Sequence, residues 1–199
     1  MRISTPLPSL AERQSELTRK LILDAALEAL QTAPPGELTM RLVAKHAAIS
    51  ERTVFRYFAT RDEFLDAVAE AFRARLDLPP LPRTLDDLLL YPRALYTRFE
   101  ATANLNKAAL QSEIGPRLRD AQAKTRWVAL SKLVDQIAPK CSGRARKIAA
   151  ANIRFYLVAS SWYYFRFHFG FSLDDSIACA ETAIRQAVEG LGVQIPDRD

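Results

Sequence analysis

Between Thr39 and Arg61 the chain sets five cationic side chains, Arg41, Lys45, Arg52, Arg56 and Arg61, against a single carboxylate, Glu51. A guanidinium is a planar, permanently charged fork that matches paired acceptor oxygens, so arginines are suited to phosphates and to base edges. Five cations to one anion within so short a stretch favours a nucleic-acid duplex as the partner.

Those side chains need short helices to present them. Thr39 is placed to cap a helix with Leu42, Val43 and His46 inward and Arg41 and Lys45 outward. Ala47-Ala48-Ile49 then reads as a tight turn pinned by Ile49, and Ser50 caps a second helix that begins Glu51, Arg52, Thr53. This helix is too short to stand alone. Val54, Phe55 and Phe58 are therefore expected to pack on the preceding helices, leaving Glu51, Arg52 and Arg56 free. Thr60 with Glu63 forms a capping box that opens a longer helix through Phe64, Leu65, Val68 and Phe72. Upstream, Leu17, Leu21, Ile22, Ala25, Ala26, Ala29 and Leu30 recur at helical spacing until Pro34-Pro35-Gly36. Leu38 to Leu65 thus reads as a helix-turn-helix.

These residues resemble the TetR family of bacterial transcriptional repressors over roughly the first third of the chain. Arg19, Ile22, Leu23, Ala25 and Ala26 fit the family's first helix, and Gly36 and Thr39 fit the run into the second. Val43-Ala44, Ala47, Ser50, Thr53, Tyr57 and Phe58 fit the helix-turn-helix itself. The combined spacing is far more specific than a lone glycine motif. Three positions depart from the family. Ala48 stands where glycine is usual, which costs roughly 1–2 kcal/mol if the residue is left-handed. Phe55 replaces a frequent tyrosine and loses a hydroxyl, and Arg61 replaces a common lysine.

The resemblance implies an all-α chain: an N-terminal three-helix helix-turn-helix DNA-binding domain plus a C-terminal helical ligand-binding and dimerisation bundle. It implies that Arg52 and Arg56 read guanine, that Glu51 accepts from cytosine, and that Arg41 reaches a base from the second helix. Thr39, Thr53, Tyr57 and Arg61 match positions that hold phosphates. One such helix reads few base pairs, so a homodimer on a palindromic double-stranded operator is expected. The family dimerises through its last two long helices, here about residues 145–169 and 173–191. An unidentified small-molecule effector is implied as well, with Phe99, Asn104, Trp127, Trp162 and Tyr163 as pocket candidates, although such residues also fill cores and interfaces.

Composition bounds the rest. The chain has 199 residues, 49% of them hydrophobic, enough for a sizeable core, and a net charge of +5. Most of that surplus lies outside the motif, with thirteen Lys or Arg against seven Asp or Glu between Asp77 and Ile153, and reads as solvated helix faces. The boundaries expected are a flexible arm over 1–9, a DNA-binding domain over 10–58, a connecting helix over 59–77 and an effector and dimerisation domain over 84–192. The junction falls at Leu78-Pro79-Pro80-Leu81-Pro82. Pro92 is expected to interrupt a helix opened by Thr84 and Asp87, and Gly115-Pro116 marks another break. Ser142-Gly143 begins a long helix that includes the ambiguous WYYFRFHFGF stretch, where alternation suits a strand but no partner strand is evident. Ile177, Ala180, Ile184, Val188 and Leu191 form the last ridge.

The start MRISTPLPSL lacks the features of a secretory signal, and no apolar run reaches membrane length, so the expectation is a cytoplasmic protein without a membrane role. Cys141 and Cys179 are too few for a disulfide framework and lack metal-ligand spacing. The competing class is an all-helical small-molecule-binding protein or enzyme not acting on DNA. Its di-iron form needs Glu-x-x-His pairs, yet Val43 and Phe165 precede His46 and His168 by three residues. No nucleophile elbow or phosphate-binding glycine loop is present either, so no catalytic set and no cofactor are expected.

Overall fold

Side-chain caps start most of the helices. In the computed structural model, which describes residues 9–32, 34 and 38–195, Ser9 and Glu12 form a reciprocal box at the start of α1, Leu10–Thr32. Thr39 Oγ1 accepts from the Leu42 amide at 3.1 Å to open α2, Met40–His46. Ser50 Oγ accepts from the Thr53 amide, also at 3.1 Å, to open α3, Glu51–Tyr57. Thr60 does the same for α4, Arg61–Leu76, while the Glu63 carboxylate accepts from the Ala59 amide. These bonds satisfy donors that a helix start leaves without partners. Residues 1–8 of the arm predicted over 1–9 and the Pro35-Gly36 pair lie outside the described residues.

Ile22 and Ala26 of α1, Val43 of α2, and Val54 and Phe58 of the third helix segment have no exposed surface and form the core of this unit. Four residues expected to face inward do not. Leu17, Leu21 and Phe55 are exposed, at 67%, 47% and 48%, and His46 is exposed as well. Leu17 and Leu21, four residues apart, share a stripe of α1 turned away from the buried stripe of Ile22, Ala26 and Ala29. A seven-residue helix buries only one side, and Val54 and Phe58 already supply it.

Asp77 ends α4 in a left-handed conformation, φ 44°, and the proline run follows. Thr84 and Asp87 box the start of α5, Leu85–Ala101. Pro92 does not interrupt this helix. The apolar face of Leu88, Tyr91, Leu95, Tyr96 and Phe99 is buried along its length, which outweighs the roughly 3 kcal/mol that an internal proline costs. α6, Ala103–Leu110, and α7, Ile114–Ile137, follow. Gly115 and Pro116 sit in the first turn of α7 rather than breaking it. A proline is tolerated there, and a Cβ on Gly115 would lie 2.9 Å from the Ala109 carbonyl oxygen.

The predicted single helix over 145–169 is instead three pieces: α8, Gly143–Tyr156, α9, Ala159–Tyr163, and a π-helical turn, Tyr164–His168. The break holds because side chains take the carbonyls it exposes. Ser161 donates to Phe155 O, the buried Tyr96 hydroxyl to Tyr156 O at 2.9 Å, and Arg154 to Leu157 O at 3.2 Å. Trp162 is fully buried beyond the break, its indole donating to Glu100, which also receives Arg166 at 2.6 Å. The last helix, α10, Leu173–Glu189, packs on α5 and α8. Its ridge of Ile177, Ala180, Ile184 and Val188 is buried within the protomer. Among the described residues the regular structure is helical throughout, with no strand, and no helix is long and apolar enough to cross a membrane.

Candidate nucleic-acid interface

The turn between α2 and α3 decides how the cations are displayed. The Ile49 amide donates to Ala44 O at 3.0 Å and the Ala48 amide to Lys45 O at 3.2 Å, the bond pair of a Schellman motif. Ala48 occupies its left-handed position, φ 53°, where glycine would be free of strain. The chain reverses sharply there, and Ile49, partly buried against the core, fixes the exit.

On α3, Val54 and Phe58 face inward, while Glu51, Arg52, Phe55 and Arg56 are exposed. Residues 52, 55 and 56 stand three and four apart, so they share one outward face. Arg41 and Lys45 are exposed on α2. Thr39 and Thr53 sit at the two helix starts, with Thr53 Oγ1 2.8 Å from Ser50 Oγ. Tyr57 is half-buried against α1. Hydrogen bonds with the Ser15 and Thr18 hydroxyls hold its phenol below the usual tyrosine range, and Arg56 lies over its ring at 5.4 Å. Arg19 lies over Phe58 at 5.3 Å, which fastens α1 to the end of α3.

Arg61 is differently placed. Its guanidinium donates to Leu38 O at 3.0 Å and to Glu113 at 2.7 Å, so it bridges the α2 entrance and the start of α7. The structure thus groups Arg41, Glu51, Arg52, Arg56, Thr39, Thr53 and Tyr57 around α2 and α3, and holds Arg61 in an exposed ion pair with Glu113. Phe55 belongs to the exposed set and was missed, because an apolar residue in a short helix reads as core.

Residues 22–68 match the family model described as bacterial regulatory proteins, tetR family. The chain carries a TetR-family amino-terminal domain. Among curated proteins, none matches the chain in sequence. Among solved structures, that of native NalD, the secondary repressor of the MexAB-OprM multidrug efflux pump in Pseudomonas aeruginosa, is similar in fold. It has a TM-score of 0.55 and 21% identity over 88% of this chain and 97% of that one.

Behind the TetR-family domain, an open cleft of about 940 Å³ lies among the end of α4, the proline run, α5, α6, α7 and α8. This is within the usual range of small-molecule sites, about 300–1,000 Å³. Phe99 lines it; Asn104, Trp127, Trp162 and Tyr163 do not. Asn104 is exposed on α6 beside α1, and Trp127 is half-buried on α7. Trp162 is core, its ring 5.8 Å from Phe99, and Tyr163 accepts from Gln111 on the protein surface. Large aromatics on neighbouring helices gave no clue to which side of each helix they occupy. The polar lining includes Asn106, Arg126 and Arg154 instead.

Proposed function

We propose that the protein is a ligand-responsive TetR-type repressor that binds a palindromic operator as a homodimer and catalyses no reaction. The observation that carries this reading is α3. Its inward face locks it to the three-helix core, and its outward face offers Arg52, Phe55 and Arg56 together. In the major groove, Arg52 and Arg56 meet guanine O6 and N7, Glu51 accepts from cytosine N4, and Arg41 reaches a base from α2. Thr39, Thr53 and Tyr57 hold phosphates and set register. Arg61 joins them by exchanging Glu113 for a phosphate.

In this reading residues 10–58 form the reading head and α4 connects it to a body spanning 84–192. The dimer forms through the region of α8, the π-helical turn and α10. The inner ridge of α10 is already spent inside the protomer, so the surface available is aromatic: Tyr164, Phe167, Phe169 and Phe171 are 38–55% exposed around the π-helical turn. A contiguous patch of this kind suits burial against a second copy. A monomer in equilibrium sedimentation at micromolar concentration would contradict the dimer.

The effector occupies the cleft behind α4 and shifts the two reading heads relative to the operator. Binding of the full-length protein to DNA selected from a random pool tests the function. Enrichment of one palindromic site is expected, and release of that site by a compound from a metabolite panel tests the ligand response.

A further inference from the structure

Every lining charge of the cleft but one is positive: Arg73, Arg119, Arg126 and Arg154 against Asp120. Arg73 is paired with Glu70, and Arg119 and Asp120 are exposed at the mouth, but Arg126 and Arg154 stand deeper, beside Leu81, where a smaller recess continues to Tyr91 and Leu130. Arg154 is held by one bond to Leu157 O and Arg126 by one bond to Gln122, which leaves most of the five donors of each guanidinium uncommitted. Burial and the neighbouring Arg126 charge both depress the proton affinity of Arg154, so the pair is electrostatically unfavourable as it stands. The remaining walls are mostly apolar, among them Phe72, Leu76, Leu118, Phe155 and Val158, with Asn106, Gln122, Thr125 and Ser160 as the uncharged polar side chains.

Two like charges at the end of an apolar cleft are costly to hold together, and an anion between them turns that cost into attraction. We propose that the effector of this cleft is an amphipathic organic anion, whose carboxylate or phosphate head lies between Arg126 and Arg154 and whose apolar body lies along the α4, α7 and α8 walls. This rests on reading the cleft as the effector site, and it goes further by naming the ligand's chemical class.

Dodecanoate, dodecyl phosphate, neutral dodecanol and cationic dodecyltrimethylammonium are the probes, titrated calorimetrically below their aggregation limits into the full-length protein without DNA. The expected result is that at least one anion binds ten times more tightly than the alcohol and that the cation does not bind. Arg154→Gln and Arg126→Gln each weaken that anion at least tenfold and leave the alcohol unchanged, whereas Arg154→Lys retains part of the affinity. Thermal melts check each variant, and the wild-type ranking of the probes stands even where a variant fails to fold. Equal binding of the alcohol and the anions, no binding of either anion, or folded glutamine variants with wild-type anion affinity would overturn the proposal. Operator DNA released only by neutral compounds would overturn it while keeping the repressor. Anion binding that needs both arginines in a protein without sequence-selective DNA binding would keep the anion site and sink the repressor.

Discussion

Arg61 and Glu113 meet at 2.7 Å and join the first residue of α4 to the residue just before α7. One turn further on, Arg117 of α7 reaches back to Asp62 and Asp66 of α4, at 2.6 and 2.5 Å. The helix leading out of the reading head is therefore clamped to a helix that lines the cleft. A ligand that moves α7 acts on α4 through these pairs, and the same clamp withholds Arg61 from a phosphate.

Releasing Arg61 is thus expected to strengthen DNA binding. Exposed ion pairs are worth about 0–1 kcal/mol, so Glu113→Gln should tighten operator binding by up to about fivefold and steepen its salt dependence. Fluorescence anisotropy across a salt series measures both. Weaker binding by a folded Glu113→Gln protein would show that the pair serves only to hold α4 in place.

Arg56 has no such competing partner among the ion pairs of the described residues; its neighbour is the Tyr57 ring. Arg56→Ala should lose about 1–3 kcal/mol of discrimination at one base pair and keep a salt-sensitive, unselective affinity. Unchanged selectivity in a competition assay would remove Arg56 from the base readers.

Phe55 is 48% exposed beside Arg52 and Arg56, so truncating it costs little folding stability. Placed in the groove, its ring suits the methyl group of thymine. Phe55→Ala should melt within a few degrees of wild type yet relax preference at one A·T pair. A large loss of thermal stability would instead place Phe55 in the core.

Ala48 pays for its left-handed turn, so Ala48→Gly should stabilise the protein by about 1 kcal/mol in urea unfolding, the relief of strain being partly offset by the greater freedom of an unfolded glycine. Ala48→Val should destabilise it. A neutral or harmful glycine would mean that the strain is relieved elsewhere.

Glu100 receives Arg166 and the Trp162 indole, and these hydrogen bonds, Arg166 foremost, hold its carboxyl below the ordinary range. A carboxylate with a depressed folded-state value contributes stability that is present above its unfolded value, about 4.3, and lost as pH falls through the folded one. Glu100→Gln should flatten that part of the acid branch. A variant whose acid branch matches wild type would show that the pair carries no linkage.

The reading head was legible in the sequence because its instructions are local. Thr39, Ser50 and Thr60 cap the helices they precede, and Ala48 is left-handed at the turn position where the family resemblance puts glycine. What escaped was set by residues far away in the chain. The break after Tyr156 depends on the Tyr96 hydroxyl, sixty residues earlier, and Pro92 stays helical because its neighbours are buried. The cleft is similar. Arg126 and Arg154 read as ordinary solvated charges until α7 and α8 bring them together beside Leu81.

The most direct test of the central claim is selection of DNA from a random pool by the full-length protein, with sequencing of what is retained. A single palindromic motif should emerge, its half-sites about one helical turn apart or a multiple of it, and Arg52→Ala or Arg56→Ala should each relax it at one position of the half-site. No enriched palindrome at low salt would contradict the account.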